Sequence, residues 1–574
     1  MSSYNVFTNP ICVQNARTRM RLIPTLSWGL VTLTCVAFIF SLVYLILTER
    51  NEFDPVNAAK TALVPLIVVQ CVLLMGMGTS AVSSGIARER DRELLDYHRM
   101  SPMSPAAKIV GYLFGLPSRE YFLFALTMPF VVYAVLRGGV PLLKVAHFYV
   151  VFFSSVWLYH MTGLMAGMVS RKPWQSSLVS LGTVAVLYLV LPLFARAGLS
   201  FFDFLTVRPT FYGMIAEELQ RSGQDQWGPA RMMLMRQYES VPFYGLSLNP
   251  TAFSLVVQLF ALTAMYHVVR RKWVDTAWHP FSKRFSLLFV TGIVFLLVGT
   301  LWPLLSDAAV NADLLRRMSE VRPLEAQTLL IGLYFVVAGL AVLMTVSLTT
   351  PTRQTARKGL RRAQKFQRSG IPLTWDAATT WPTTVAMLLI AGAGYGVVLW
   401  ALWSGEVYTV QPGMGRWLVT LAVIGALVVI AFQGMHEVFG QRAVILGLFV
   451  VWVVPVMVGI VLVAAFDAWQ PAMYIGSCCP AVAGAFTLTM LLDASQGDTD
   501  DASYLLIDTP AELHARLVIV FTLVLNTAQA ILGQALRYAA AKRRKRAELS
   551  TSLGPVPTPT EEQYPPAPPP RAAG

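Results

Sequence analysis

Residues 61–86 read TALVPLIVVQCVLLMGMGTSAVSSGI, and the next nineteen, 87–105, read ARERDRELLDYHRMSPMSP. The first stretch has no charged side chain, whereas the second has eight. An apolar run of about 20 residues is long enough to cross a hydrocarbon core of roughly 30 Å as an α-helix. Because a new apolar run, YFLFALTMPFVVYAVL, begins at Tyr121, this junction predicts a charged loop between two membrane spans.

Similar apolar runs recur along the 574 residues, of which 55% are hydrophobic and 13% charged. They predict an all-α polytopic membrane protein with about 12 transmembrane helices, because a transmembrane barrel would show short alternating strands instead. The predicted spans are 26–48, 61–86, 119–137, 146–169, 176–195, 250–269, 284–305, 326–349, 382–404, 414–435, 443–466 and 513–536. A further apolar segment, 472–492, is predicted to be a re-entrant or external-surface helix pair.

The positions of Lys and Arg assign the sides of the membrane, since loops rich in these residues stay in the cytoplasm. Basic residues precede the first predicted span and follow the second, fourth, sixth and eighth. Both termini are therefore predicted to be cytoplasmic. Treating 472–492 as a thirteenth span would put the basic run AKRRKRAE (541–548) outside, which argues against that alternative.

The span order allows two six-span halves, a hypothesis that rests on organisation alone. The predicted units are a cytoplasmic amphipathic N-terminus (1–25), a first membrane domain (26–272), a second membrane domain (273–546) and a disordered Pro-rich cytoplasmic tail (547–574). The first domain contains a charged loop (88–115) and an external segment (196–248), and the second contains an external segment (467–511). A long apolar first run without a small-residue cleavage site predicts a retained span and not a signal peptide.

The charged loop is predicted to form a helix over 88–99, with the pairs Glu89–Arg92, Arg90–Glu93 and Arg92–Asp96 at helical spacing. Pro102 ends this helix, and Ser104 with Pro105 then begins a second one. Two interpretations remain open: a solvated connector, and a docking surface. The apolar side chains among the charges favour docking: Leu94, Leu95, Tyr97 and Met100.

These residues resemble the loop after the second span in type-2 ATP-binding-cassette (ABC) permeases of the export-type family. The family pattern is roughly E-R-E-x-G-T-L-E, four variable residues, T/S-P-L-S and a short helix that ends in Gly-Lys. The matching positions here are Glu89, Arg90, Asp91, Leu95, Asp96, Ser101, Pro102, Met103, Ser104 and Gly111. Glu93 and Leu94 replace the usual Gly-Thr, and Tyr112 replaces Lys. The N-terminal NPICVQNARTRMR (9–21) resembles the family's amphipathic lead-in, so the likeness covers about residues 1–272.

The resemblance implies a permease subunit, of export type, that is coupled to a separate ABC ATPase subunit. The coupling residues implied are Glu89, Arg90, Asp91, Leu94, Leu95, Asp96, Ser101, Pro102 and Ser104. The sequence has no G-x-x-x-x-G-K-[ST] phosphate-binding loop, so ATP is expected on the partner subunit, with no cofactor, no metal and no enzyme activity in this chain. None of the five cysteines has metal-site or disulfide-framework spacing.

The expected location is the bacterial inner (plasma) membrane. The expected partners are the ATPase and the bilayer, with no nucleic acid; a homodimer and a pairing with a second permease both remain open. A secondary transporter and a non-transporting membrane partner of an ATPase are the alternative functions. A secondary transporter usually has charged residues inside its spans, and no acidic residue lies at mid-span here. A membrane enzyme is disfavoured because H-E-x-x-H and G-x-S-x-G are missing from the sequence. The transported substrate is left open.

Overall fold

The computed structural model describes most of the first 466 residues. The described ranges are 5–49, 55–213 except 171, 240–317 except 277, 323–439 except 352, 367–370, 406 and 408–413, then 454–466 and scattered positions between 471 and 542. The helices named below are α1 (Pro10–Arg19), α2 (Leu22–Glu49), α3 (Pro55–Asp91), α4 (Leu94–Met100), α5 (Pro105–Gly115), α6 (Ser118–Gly138), α7 (Leu142–Val169), α8 (Pro173–Ala195), α9 (Pro250–Val274), α10 (Lys283–Ser306), α11 (Ala308–Arg317), α12 (Pro323–Thr349), α13 (Arg353–Lys365), α14 (Trp381–Ser404), α15 (Met414–Phe439) and α16 (Val454–Phe466). A short antiparallel hairpin pairs β1 (Val241–Phe243) with β2 (Leu246–Leu248).

Ten helices in the described ranges are long and apolar enough to cross a membrane: α2, α3, α6, α7, α8, α9, α10, α12, α14 and α15. The chain is therefore an all-α, multi-pass membrane protein. Each of these helices overlaps one of the first ten predicted spans. Of the eleventh, 443–466, the structure describes the part from 454 onward, as α16. The twelfth, 513–536, and the segment 472–492 lie almost entirely outside the described residues.

Helix α3 is longer than the span predicted at 61–86, and it is not a regular α-helix throughout. Residues Val72–Gly78 form a π-helical segment, which changes the hydrogen-bonding pattern of the backbone. Nε2 of the buried His160, on α7, lies 3.0 Å from the carbonyl oxygen of Leu74 in this segment. One turn earlier, the buried Gln70 donates to Thr127 Oγ1 at 2.8 Å and accepts from the Tyr149 hydroxyl at 2.9 Å. Buried polar groups of α3 are thus bonded to the neighbouring spans α6 and α7.

The backbones of α3 and α7 come very close where they cross, because the residues of α7 at the contact are glycines, which have no side chain. A Cβ atom on Gly163 would lie 2.7 Å from the Thr79 carbonyl oxygen, and one on Gly167 would lie 2.7 Å from the Ser83 carbonyl oxygen. Small residues four apart are a common means by which membrane helices bring their backbones together. This crossing fixes α3, and with it the charged loop that follows, against the fourth span.

The loops divide between two ends of the bundle. At one end, the side chain of Trp273 at the end of α9 stacks on Tyr112 of α5, and Arg271 forms an ion pair with Asp376. At the other end, the hairpin donates from the Tyr244 amide to the Gly299 carbonyl at 3.0 Å. Segments predicted to be cytoplasmic therefore share one end, opposite the hairpin of the predicted external segment 196–248.

A hydrophobic core joins the later spans. It contains buried residues of α10, α12, α14 and α15, such as Leu301, Leu330, Val398 and Leu421. The same core takes in the hairpin residue Phe243 and residues at the start of α9. The packing is thus continuous across position 272, where the sequence suggested a boundary between two membrane domains.

We predict that changing both Gly163 and Gly167 to Ala lowers the free energy of unfolding by about 1–3 kcal/mol per site, since the added methyl groups overpack a backbone contact. The measurement is the thermal midpoint of the detergent-purified full chain. Gly392→Ala in α14 is the matched control, because its Cβ would meet no atom within 4 Å. An unchanged midpoint in the double variant would contradict the close crossing of α3 and α7.

Candidate functional site

The charged loop contains two helices on either side of a sharp break, and the single helix predicted over 88–99 is wrong in this respect. Helix α3 ends at Asp91, and α4 starts at Leu94. Glu93 between them has a left-handed backbone, with φ of 59°. This conformation is rare for a residue other than Gly and costs about 1–3 kcal/mol. The surrounding contacts must therefore stabilise the break.

Contacts with other helices replace two of the predicted pairs along 88–96. The Tyr112 hydroxyl donates to the Glu89 carboxylate, and Arg90 Nη1 donates to the carbonyls of Met168 and Ser170, at 2.8 and 3.1 Å. Arg90 thereby satisfies carbonyl groups at the end of α7. The exposed helical ion pairs that these contacts replace would each contribute only roughly 0.2–0.5 kcal/mol. Glu89 and Arg90 therefore join the end of α3 to α5 and α7.

Helix α4 has one buried and one exposed apolar face. Leu95 is 3% exposed and belongs to the core at this end of the bundle. Leu94, Tyr97 and Met100 are 43%, 67% and 79% exposed, and their spacing of three places them on one face of the helix. Of the two leucines predicted to dock, Leu94 is therefore accessible and Leu95 is not.

Charged residues border this exposed face. Asp91, in the last turn of α3, and Glu93 are exposed, and the exposed Asp96 pairs with Arg99 of the same helix. The guanidinium carbon of Arg99 lies 5.9 Å from the ring centroid of Trp273. The surface that α4 presents thus combines three apolar side chains with acidic groups on its border.

The Ser-Pro-Met-Ser stretch shapes the turn out of α4, as its sequence predicted. Ser101 follows the last residue of α4 and donates its hydroxyl to the His98 carbonyl at 2.9 Å. Ser104 caps α5, with its Oγ accepting from the Ala107 amide at 3.2 Å, and Pro105 is the first helical residue. Pro102 lies exposed between them. Both serines therefore hold the backbone of the loop.

The sequence did not reveal the role of Lys108, which lies in an apolar helix. Its side chain is 3% exposed, and its Nζ donates to the carbonyls of Arg99 and Ser101, each at 3.2 Å. Burial lowers the pKa of this ammonium group. A cation at the C-terminal end of a helix also interacts favourably with the helix dipole. Lys108 therefore binds the end of α4 to the first turns of α5.

Tyr112 joins the elements of this end of the bundle. It is fully buried, its ring stacks on Trp273 with centroids 5.6 Å apart, and the His98 ring meets it edge-on at 6.2 Å. Burial and the neighbouring Glu89 carboxylate raise the pKa of the phenol. One side chain thus connects α3 through Glu89, α4 through His98 and α9 through Trp273. In the family pattern that this loop resembles, the residue at the position of Tyr112 is usually Lys.

The N-terminal helix α1 packs on α5 through glycines. Asn9 caps α1, accepting from the Ile11 amide at 3.0 Å, and its Nδ2 donates to the Ala107 carbonyl at 2.7 Å. A Cβ on Gly111 would lie 2.7 Å from Asn9 Oδ1, and one on Gly115 would lie 2.9 Å from the Cα of Cys12. The lead-in segment predicted from Asn9-Pro10 therefore lies against the helix that follows the charged loop.

The accessible part of the charged loop consists of apolar and charged side chains on and beside α4. In the described ranges, no three His, Cys, Asp or Glu side chains come together as metal ligands would. The exposed face of α4 is small, and the helix is tied to its surroundings by the buried Leu95, by Lys108 and by the contact of His98 with Tyr112. Comparison of the chain with protein-family models, with curated proteins and with solved structures finds no match.

Replacing Lys108 by Met should loosen α4 without removing its apolar contacts. We expect amide hydrogen exchange over Leu94–Met100 to become at least about tenfold faster, because bonds from a charged donor to two carbonyls are lost. Lys358→Met, at an exposed lysine on the same end, is the control and should leave exchange in α4 unchanged. Equal exchange in wild type and K108M would show that the ammonium group does not fix the loop.

Proposed function

We propose that the chain is the membrane-spanning permease subunit of an ABC transporter, of export type, and that a separate ATPase subunit binds the exposed face of α4. The observation that carries the proposal is the position of that face. Leu94, Tyr97 and Met100 lie on a short helix outside the spans, at the end of the bundle that the basic residues assign to the cytoplasm. An ATPase that consumes cytoplasmic ATP must bind at this end.

The backbone at Glu93 supports the resemblance on which the proposal rests. The family pattern has Gly at this position, and Gly is the residue that adopts a left-handed backbone without strain. In this chain Glu93 has φ of 59°. The break between α3 and α4 therefore falls where the pattern puts its glycine, although the residue type differs.

The contacts behind α4 suit it to passing movement to the spans. Leu95 anchors it in the core, Lys108 fixes its end, and Glu89 and Arg90 connect the adjoining end of α3 to α5 and α7. A load on the exposed face would thus be carried to the second, fourth and sixth spans. A flexible connector would bend instead, and the spans would not move with it.

The proposed location is the bacterial inner membrane, with α4 in the cytoplasm and the hairpin outside. We predict that, after replacement of the native cysteines, Leu246→Cys in intact cells is labelled by a membrane-impermeant maleimide. Tyr97→Cys should be labelled after permeabilisation and not before. Both positions are well exposed, at 64% and 67%, so access from one side is the variable tested. The reverse pattern would invert the topology.

Leu94→Ser together with Tyr97→Ser should strip the ATPase from the complex. Two apolar side chains buried at a protein contact contribute on the order of 1–3 kcal/mol each, so we expect at least a tenfold loss of bound ATPase. The measurement is recovery of a P-loop-containing subunit, and of its ATP hydrolysis, when the chain is purified from its own membranes.

The matched control is Phe366→Ser together with Leu373→Ser, two apolar residues that are 57% and 60% exposed at the same end of the bundle. It should retain the ATPase, and both double variants should insert with unchanged thermal midpoints. Full retention of the ATPase by the Leu94/Tyr97 variant would remove α4 as the docking surface. Leu95→Ser does not serve this purpose, because it would damage the core.

A further inference from the structure

The basic helix α13 follows the eighth span and contains no acidic residue. Between Arg353 and Trp375 the sequence has no Asp or Glu at all. Its exposed cationic side chains are Arg357, Lys358, Arg361, Arg362 and Lys365. In the sequence analysis, these basic residues predicted that the segment lies on the cytoplasmic side. The structure shows in addition that it is a folded helix with one basic surface.

The opposite face of α13 packs on the coil before the ninth span. Gly359 and Ala363 are buried, and a Cβ on Gly359 would collide with the side chain of Ala377. That coil is held in turn by Lys283 at the start of α10, whose Nζ donates to the carbonyls of Leu373, Ala378 and Thr379 at 3.1, 2.9 and 2.9 Å. The helix is therefore fixed to the protein and presents its basic face away from it.

The short connection from α12 keeps the start of α13 close to the headgroup layer of a bilayer. It begins four residues after Thr349, the last residue of α12, so at most about 14 Å of extended chain separates it from the end of a span. The polar layer extends roughly 5–8 Å beyond the hydrocarbon core on each side. Arg362 lies 5.4 Å from the Trp375 ring centroid and 6.0 Å from that of Phe366, and aromatic rings are typical of this layer.

The positively charged side chains along α13 repel one another. Arg357, Arg361 and Lys365 are spaced four apart, a spacing at which like charges destabilise a helix. An anionic surface beside the helix would remove this repulsion. Clusters of four to eight Lys and Arg immediately beyond a membrane helix attract anionic lipids in the same way. We propose that α13 is an interfacial helix whose exposed basic face binds the anionic headgroups of phospholipids.

The test uses the full chain, purified in detergent and stripped of lipid, with dioctanoyl-phosphatidylglycerol as the anionic probe. The apparent Kd is measured by native mass spectrometry, with dioctanoyl-phosphatidylcholine and inorganic phosphate in parallel titrations. We expect the wild type to prefer phosphatidylglycerol to both. Arg357→Gln with Arg361→Gln should raise the apparent Kd for phosphatidylglycerol at least tenfold, and Arg357→Lys with Arg361→Lys should keep it within about threefold, since it preserves the charge.

The matched control is Arg17→Gln with Arg21→Gln, a second pair of exposed arginines four residues apart at the same end of the bundle. It should leave the apparent Kd within about threefold of wild type. An equal loss in this control would assign binding to the general charge of this end and not to α13. Equal affinity of the wild type for phosphatidylcholine, or for inorganic phosphate, would overturn the proposal, as would unchanged binding by the Arg357/Arg361 glutamine variant.

Discussion

The contact between the Tyr112 phenol and the Glu89 carboxylate determines how the end of the bundle is built. Glu89 lies on the extension of the second span, where a carboxylate without a partner would be costly to bury. Tyr112 supplies that partner, and its ring reaches Trp273 at the end of the sixth span. With the second and sixth spans joined in this way, the chain between Glu89 and Tyr112 has to turn back on itself. The break at Glu93 and the short helix α4 are the result.

Hydropathy was sufficient to predict the membrane helices that the structure describes. A membrane span requires length and apolar character, and both are properties of the local sequence. The caps were predictable for the same reason: Ser104 and Pro105 begin α5 whatever lies next to it. These features depend on interactions within a few residues.

The direction in which loop side chains point depends on distant residues and was not predictable. Leu94 and Leu95 are identical in type and adjacent in sequence, yet Leu95 is buried in a core that includes residues of α1, α3 and α9, while Leu94 is exposed. Glu89 and Arg90 have good helical partners nearby, but they bind Tyr112 and the end of α7 instead. The sequence therefore predicted a charged loop between two spans, and the division of its residues into buried and exposed ones required the structure.

The basic residues of this end have two physical roles that the sequence presents as one. A lysine or arginine beside a span biases that end toward the cytoplasm, and this role requires only its charge. Lys108, Arg90 and Lys283 also donate to backbone carbonyls that no helix or strand satisfies. An ammonium group has three donors and can gather carbonyls from an irregular chain, which makes lysine suitable for holding the loops before α5 and α14. Charges of the kind that bias one end of a span toward the cytoplasm thus also shape the loops between the helices, whereas α13 presents its cations on the exposed side of the helix.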